Sequence, residues 1–147
     1  TRVVTFLFRP IKPRWLNLRF PSTLYLCPIL DLLLQEIPEE VSAELRLGLQ
    51  EALVNAAKHG NQLDPRKFVS VRYTRQQDHH EWVIVDQGLG FVPPKVCHPP
   101  VVNNPLPEEG CDCGRGLYIL FQIFDQVCWN SSGTELSLSK SFNCSRI

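Results

Sequence analysis

The stretch "EALVNAAKHGN", residues 51–61, carries two patterns at once. Turned at about 100° per residue, Leu45, Leu49, Ala52, Leu53 and Ala56 fall on one apolar stripe, the signature of an amphipathic helix lying on a core. Glu44, Gly48, Glu51, Asn55 and Lys58 gather on a neighbouring stripe. A glutamate and an asparagine one turn apart are ordinary on a solvated face, but beside a buried stripe they form a candidate site. The helix opens at "PEE", residues 38–40, with Pro38 near its first position and two glutamates at the positive end of the dipole. It closes near His59 at Gly60-Asn61, a helix-ending signal, and His59 reads as a cap or dipole partner at that end.

Working outward, "LNLRF" alternates with period two, meets "PST", and is followed by "LYLCPILDLLLQEI" with leucines and isoleucines at helical spacing. This predicts strand, turn and helix, with Pro28 in the tolerant first turns. Residues 1–15, interrupted by prolines, read as an arm or edge strand, leaving 16–147 as the domain proper. Downstream, "KFVSVRYTR" and "EWVIVDQG" flank the polar "QQDHH", a hairpin pattern in which His79 and His80 are expected in a solvated loop. Residues 91–113 hold six prolines and little periodicity, which predicts a functional loop or lid. "RGLYILFQIFDQV" reads as a helix opening out of glycines, and "VCWNSSGTELSLSKSF" as two strands about a turn. Phe121, Phe124 and Trp129 have core spacing. The expected fold class is α+β, a two-layer sandwich of a mixed, mostly antiparallel sheet covered on one face by three helices.

Composition narrows the function. With 147 residues and no repeat, one domain with its own core is expected. Fifteen basic residues balance fifteen acidic ones, so no overall field favours nucleic acid or an anionic membrane. No apolar run approaches the roughly 20 residues of a membrane helix, and the expected location is cytoplasmic. The six cysteines lack the spacing of a disulfide framework, and most are expected as small buried hydrophobes. Cys97, His98, Cys111 and Cys113 could be assembled on paper into a zinc set, but neither cysteine pair has the usual spacing, so the structural reading is preferred.

The order of glycine motifs raises the candidate site above the ordinary. "DQGLGF", residues 86–91, sets an aspartate at the end of an apolar strand before Gly88 and Gly90, which can approach a flat ligand without Cβ obstruction. "GRGLYIL", residues 114–120, puts Gly114 and Gly116 at a helix start, where free N–H groups favour an anion. "SGTELSLSK" adds a Gly-Thr before the final strand. With these boxes in this order, residues 16–142 resemble the GHKL (Bergerat-fold) ATPase superfamily, and more narrowly the bacterial anti-sigma-factor serine/threonine kinases.

That resemblance implies a nucleotide between sheet and helices under a lid. By position it implies that Asn55 binds Mg²⁺ and Glu51 is the general base, that Asp86 accepts the adenine amino hydrogen, and that Gly88 and Gly90 shape the adenine pocket. Gly114 and Gly116 would cover the phosphates, Thr134 would lie near the adenine, and Lys58 or Arg115 would counter phosphate charge. The implied cofactors are ATP and Mg²⁺. The implied partners are a sigma factor and a small anti-sigma-factor antagonist phosphorylated on serine, with a homodimer common in the family and no direct nucleic acid or membrane. Two other readings stand beside this one. A non-catalytic nucleotide-binding module that sequesters a regulator would not need Glu51, and the ATP domain of a histidine kinase would call for a phosphoacceptor helix pair that is not found here.

Overall fold

In a computed structural model of the chain, the described backbone comprises residues 14–93 and 112–142, and the described side chains residues 15–93 and 116–142. The elements run β1 (Arg14–Pro21), α1 (Cys27–Leu33), α2 (Glu39–Val54), β2 (Phe68–Gln76), β3 (His79–Val85), α3 (Asp112–Ile123), β4 (Gln126–Trp129) and β5 (Glu135–Ser141). Among the described residues, five strands form one sheet in the order β1-β2-β3-β5-β4, and each neighbouring pair is antiparallel. This is the α+β class expected. Among the described residues, no helix is long and apolar enough to cross a membrane.

Alternation along the strands decides the two faces. Val69, Val71, Tyr73, Trp82, Ile84, Leu136 and Leu138 point to the helices and are buried, while Asn17, Arg19, Arg72 and Gln126 stay exposed on the other face. The apolar stripe of α2 closes the core from above, with Leu45, Leu49, Ala52 and Leu53 at most 1% exposed. Two starts differ from expectation. α1 begins at Cys27 and ends at Leu33, because Pro38 disfavours a helical conformation for Ile37, and Leu34 to Ile37 turn instead, with the Ile37 N–H donating to the Leu34 carbonyl at 3.0 Å. The β2–β3 turn is only Gln77 and Asp78, with Gln77 at φ 55°, so β3 starts at His79.

That early start overturns the solvated reading of His80. By register it shares the inward face with Trp82, it is fully buried, and its ring stacks on Phe142 at 4.1 Å while Nδ1 lies 2.7 Å from the Tyr73 hydroxyl. Burial pushes its pKa down to about 4. Two cysteines are exceptions to the buried, unbonded majority expected: Cys27 is free but exposed, and Cys128 is held in a disulfide. Residues 1–13 of the expected arm (1–15), residues 94–111 of the expected lid (91–113) and the paper zinc set, including the Cys113 side chain, lie outside the described residues, while Arg14 and Trp15 belong to β1. Among those described, no group of three metal-ligating side chains gathers.

Candidate functional site

The middle of the second stripe, Gly48, Glu51 and Asn55, turns out to face α3, while Glu44 and Lys58 stay exposed. A Cβ on Gly48 would sit 2.6 Å from Phe124 Cε2, so the missing side chain lets the two helices close. They pack antiparallel: Gly48 meets the C-terminal end of α3, and one to two turns further along α2, Glu51 and Asn55 face Gly116 near its start. A Cβ on Gly116 would lie 3.2 Å from Glu51 Oε2 and 3.4 Å from Asn55 Nδ2. Glycine at 116 therefore leaves a carboxylate and an amide free against helix backbone, and neither side chain has a hydrogen bond or ion pair among the described residues.

Beyond Val54 the helix widens into a π-helical turn, Asn55–Gly60, which the steady 100° step does not foresee. The Asn61 N–H reaches back to the Ala56 carbonyl at 2.9 Å, and the extra residue carries the helix end toward the strand layer. Gly60 arrives directly against Asp86: a Cβ there would be 2.5–2.8 Å from the carboxylate atoms. Gly88 in turn stacks on the Gly60 backbone with no room for a side chain. On the far side, Gly90 at φ +79° and Gly133 at φ +75° let the loop after β3 press on the β4–β5 turn, where the Phe91 N–H donates to the Ser132 carbonyl at 3.1 Å.

Between these walls lies a cavity of ≈ 570 Å³. At one end sits Asp86, whose N–H donates to the Thr134 carbonyl at 3.0 Å and whose Oδ1 accepts the Gly88 N–H at 2.8 Å. Burial raises its pKa, opposed by that hydrogen bond and by the nearby Lys67. Ile84, Leu136 and the edge-on pair Phe91 and Trp129, 5.6 Å between centroids, give this end a flat apolar lining. At the other end are Asn55 and Gly116. A half-buried acceptor beside apolar walls suits a planar base with an amino group. An amide oxygen with a neighbouring carboxylate suits a hard cation that takes its other ligands from phosphate and water.

Of the residues singled out in the sequence, Asn55, Asp86, Gly90, Gly116 and Thr134 line this cavity, and Glu51 adjoins it through Gly116. Gly88 lies behind Asp86 and not on the wall. Lys58 is exposed and is not brought to the cavity. Gly114 and Arg115 fall on the first turns of α3, with side chains outside the described set. Three polar side chains of the lining were missed. His59, read as a cap, faces the cavity, as do Lys67 and Gln62. Trp129, read as packing, lies partly in the wall. Gly60 was legible only as a stop signal, and nothing in the sequence tied it to Asp86.

Comparison with known proteins agrees with this fold. The histidine kinase-like ATPase domain family matches residues 31–140, three quarters of the chain. The serine-protein kinase RsbW of Bacillus subtilis (strain 168) is 26% identical over 107 residues, covering 71% of this chain and 67% of the relative. Its namesake in Bacillus licheniformis is 29% identical over 108 residues, with the same coverage of each.

Proposed function

The chain belongs to the histidine kinase-like ATPase domain family, and from that premise we propose that it binds ATP with Mg²⁺ and transfers a phosphoryl group to a serine or threonine of a small antagonist protein, within a partner switch that also engages a sigma factor. The observation that carries the reading is the pairing of two ends of one cavity: a half-buried Asp86 among apolar walls, and Glu51 with Asn55 against the bare backbone of Gly116. The serine-protein kinases among its relatives support the choice of acceptor.

Each residue then has a chemical task. Asp86 accepts a hydrogen bond from the adenine amino group, which replaces the water its buried carboxylate gave up. Asn55 holds the metal through its amide oxygen, and bound Mg²⁺ supplies charge neutralisation at the phosphates. Phosphoryl transfer asks mainly for positioning and electrostatics, so one base for the incoming hydroxyl is enough. Glu51 is that base; it adjoins the cavity at the Gly116 end. Gly116, with no side chain, leaves space for the phosphates beside Glu51 and Asn55.

Titration calorimetry with and without Mg²⁺ tests the reading. ATP should bind, the metal should strengthen triphosphate binding, and Asp86→Ala should weaken ATP about tenfold or more, the loss of one charged hydrogen bond. GTP should bind poorly. No heat at millimolar ATP removes the basis of the proposal.

A further inference from the structure

Asn61, the last letter of the quoted stretch, is fully buried and uses its whole amide. Its Nδ2 donates to the Phe68 carbonyl at 2.9 Å and to Ser22 Oγ at 2.9 Å, and its Oδ1 accepts the Gln87 N–H at 2.7 Å. Gln87 answers with its own side chain, whose Oε1 accepts the Phe68 N–H at 2.7 Å. The three residues close a ring: 61 to 68, 68 to 87, 87 to 61. Ser22 extends it, donating from Oγ and from its N–H to the Lys67 carbonyl at 2.9 and 3.0 Å. The end of the π-helical turn, the end of β1, the start of β2 and the exit from β3 are thus tied at one point. The orientation of the Asn61 amide follows from its partners, since its two donors face oxygens and its acceptor faces an N–H.

We propose that Asn61 and Gln87 are positioning residues that set the base specificity of the cavity by fixing Asp86. The inference rests on the nucleotide reading above. Asp86 is the residue immediately before Gln87, and its carboxylate abuts Gly60, the residue immediately before Asn61. Among the described residues the carboxylate itself has one hydrogen bond, from Gly88. Its position is therefore set by the backbone on which it stands, and that backbone is pinned on one side by the Thr134 carbonyl and on the other by the ring. An amino group is read over a window of only about half an ångström, 2.7–3.2 Å between heavy atoms. Loss of the ring frees Asp86 to move by more than that. The phosphate end, held by the seam of α2 with α3, keeps its geometry.

The test separates the two ends by ligand choice. Wild type, Gln87→Ala, Gln87→Glu and Asn61→Ala are titrated with ATP, with AMP, and with purine riboside triphosphate, which lacks the amino group. In wild type, removing the amino group should weaken binding about tenfold or more. Asn61→Ala removes the bond to the Gln87 N–H and should bring the preference for ATP over the purine triphosphate to within about threefold of parity, whereas exposed Gln87→Ala should fold, keeps that backbone bond, loses the one to the Phe68 N–H, and should lose the preference in part. The preference of each for ATP over AMP should stay at the wild-type ratio. Gln87→Glu, which keeps an acceptor for the Phe68 N–H, should recover most of the base preference. Wild-type base preference retained in both Gln87→Ala and folded Asn61→Ala overturns the inference while leaving the nucleotide reading intact. A wild type that fails to bind ATP, or does not distinguish the two triphosphates, overturns both, and that failure is read from the wild type alone.

Discussion

Asn55 and Asn61 stand six residues apart at the end of one helix and have opposite fates. Asn55 is half-buried on the cavity wall, with its amide unengaged among the described residues and facing Gly116. Asn61 is sealed from solvent with both ends of its amide committed. A buried amide without partners costs about 1–3 kcal/mol, so folding forces Asn61 to be satisfied. Asn55 escapes that demand by facing open space, and its unspent oxygen is what a ligand can use. The same side chain is thus architecture in one place and chemistry in the other, and the π-helical turn between them decides which is which. It rotates the chain off the steady helical step just where the wall ends and the core of the loop begins.

The contrast is broken hardest at Glu51, the partner of Asn55 on the uncommitted side. Glu51→Gln should lower phosphate transfer to the protein acceptor about 10²–10⁴-fold, the range of a general base, while ATP affinity stays at the wild-type value. Radiolabelled transfer run beside ATP titration checks both halves. Transfer at the wild-type rate removes Glu51 as base, and no transfer from wild type with nucleotide still bound turns the protein into a binding module.

Next in size is the committed asparagine. Asn61→Ala takes the Asn61 amide from the Gln87 N–H and the Phe68 carbonyl in a part-buried site, each loss costing up to about 1–3 kcal/mol. A total near 3 kcal/mol corresponds to a fall of about 6–12 °C in melting temperature for a domain of this size. Asn55→Ala should stay within about 0.5 kcal/mol, since it removes no bond and places the best helix former in a helix. It should instead lose the Mg²⁺-dependent part of ATP binding. Equal melting temperatures for the two variants would erase the distinction drawn between them.

This difference also marks what the sequence could and could not tell. The core stripe, the hairpin, the closing strands and the α+β class follow from periodicity, because burial imposes a period of 3.6 or 2 on apolar residues. Asn55, Asp86, Gly90, Gly116 and Thr134, all on the cavity wall, were legible because the order of their motifs resembles that of a known ATPase superfamily, each motif alone being weak. Asn61 broke nothing: an asparagine after glycine at a helix end has an adequate local explanation, and its partners lie 7, 26 and 39 residues away in sequence. His59 was hidden for a related reason, since the turn that points it into the cavity departs from the assumed step. His80 was legible after all. Continuing the alternation of Trp82 and Ile84 back by one more pair places it inward, and only the polar neighbours of the turn argued otherwise.

The smallest effect, and the one that sharpens the comparison most, concerns the charge at Asp86. Burial raises its pKa above the ordinary value of 3.8, more than the Gly88 N–H and Lys67 lower it. A folded pKa above the unfolded one means that the native state holds the proton more tightly, so stability falls as pH rises from 3.8 through the folded value. At neutral pH the empty cavity carries the whole of that penalty. Asp86→Asn keeps the shape and an acceptor for the Gly88 N–H but removes the charge. Its melting temperature without ligand should therefore be slightly above wild type at pH 7, with the gain vanishing as pH drops below 3.8. ATP should bind more weakly at the same time, because an amide with the same shape offers the adenine amino group a poorer acceptor than a carboxylate. A carboxylate that lowers the stability of the empty protein and is recovered on binding is the mark of a ligand-facing group, whereas Asn61 stabilises the fold with or without ligand. Thermal melts of both proteins across this pH range, paired with ATP titrations, decide it: an Asp86→Asn protein that is no more stable at pH 7 and binds ATP as wild type does would move Asp86 to the structural side of the comparison.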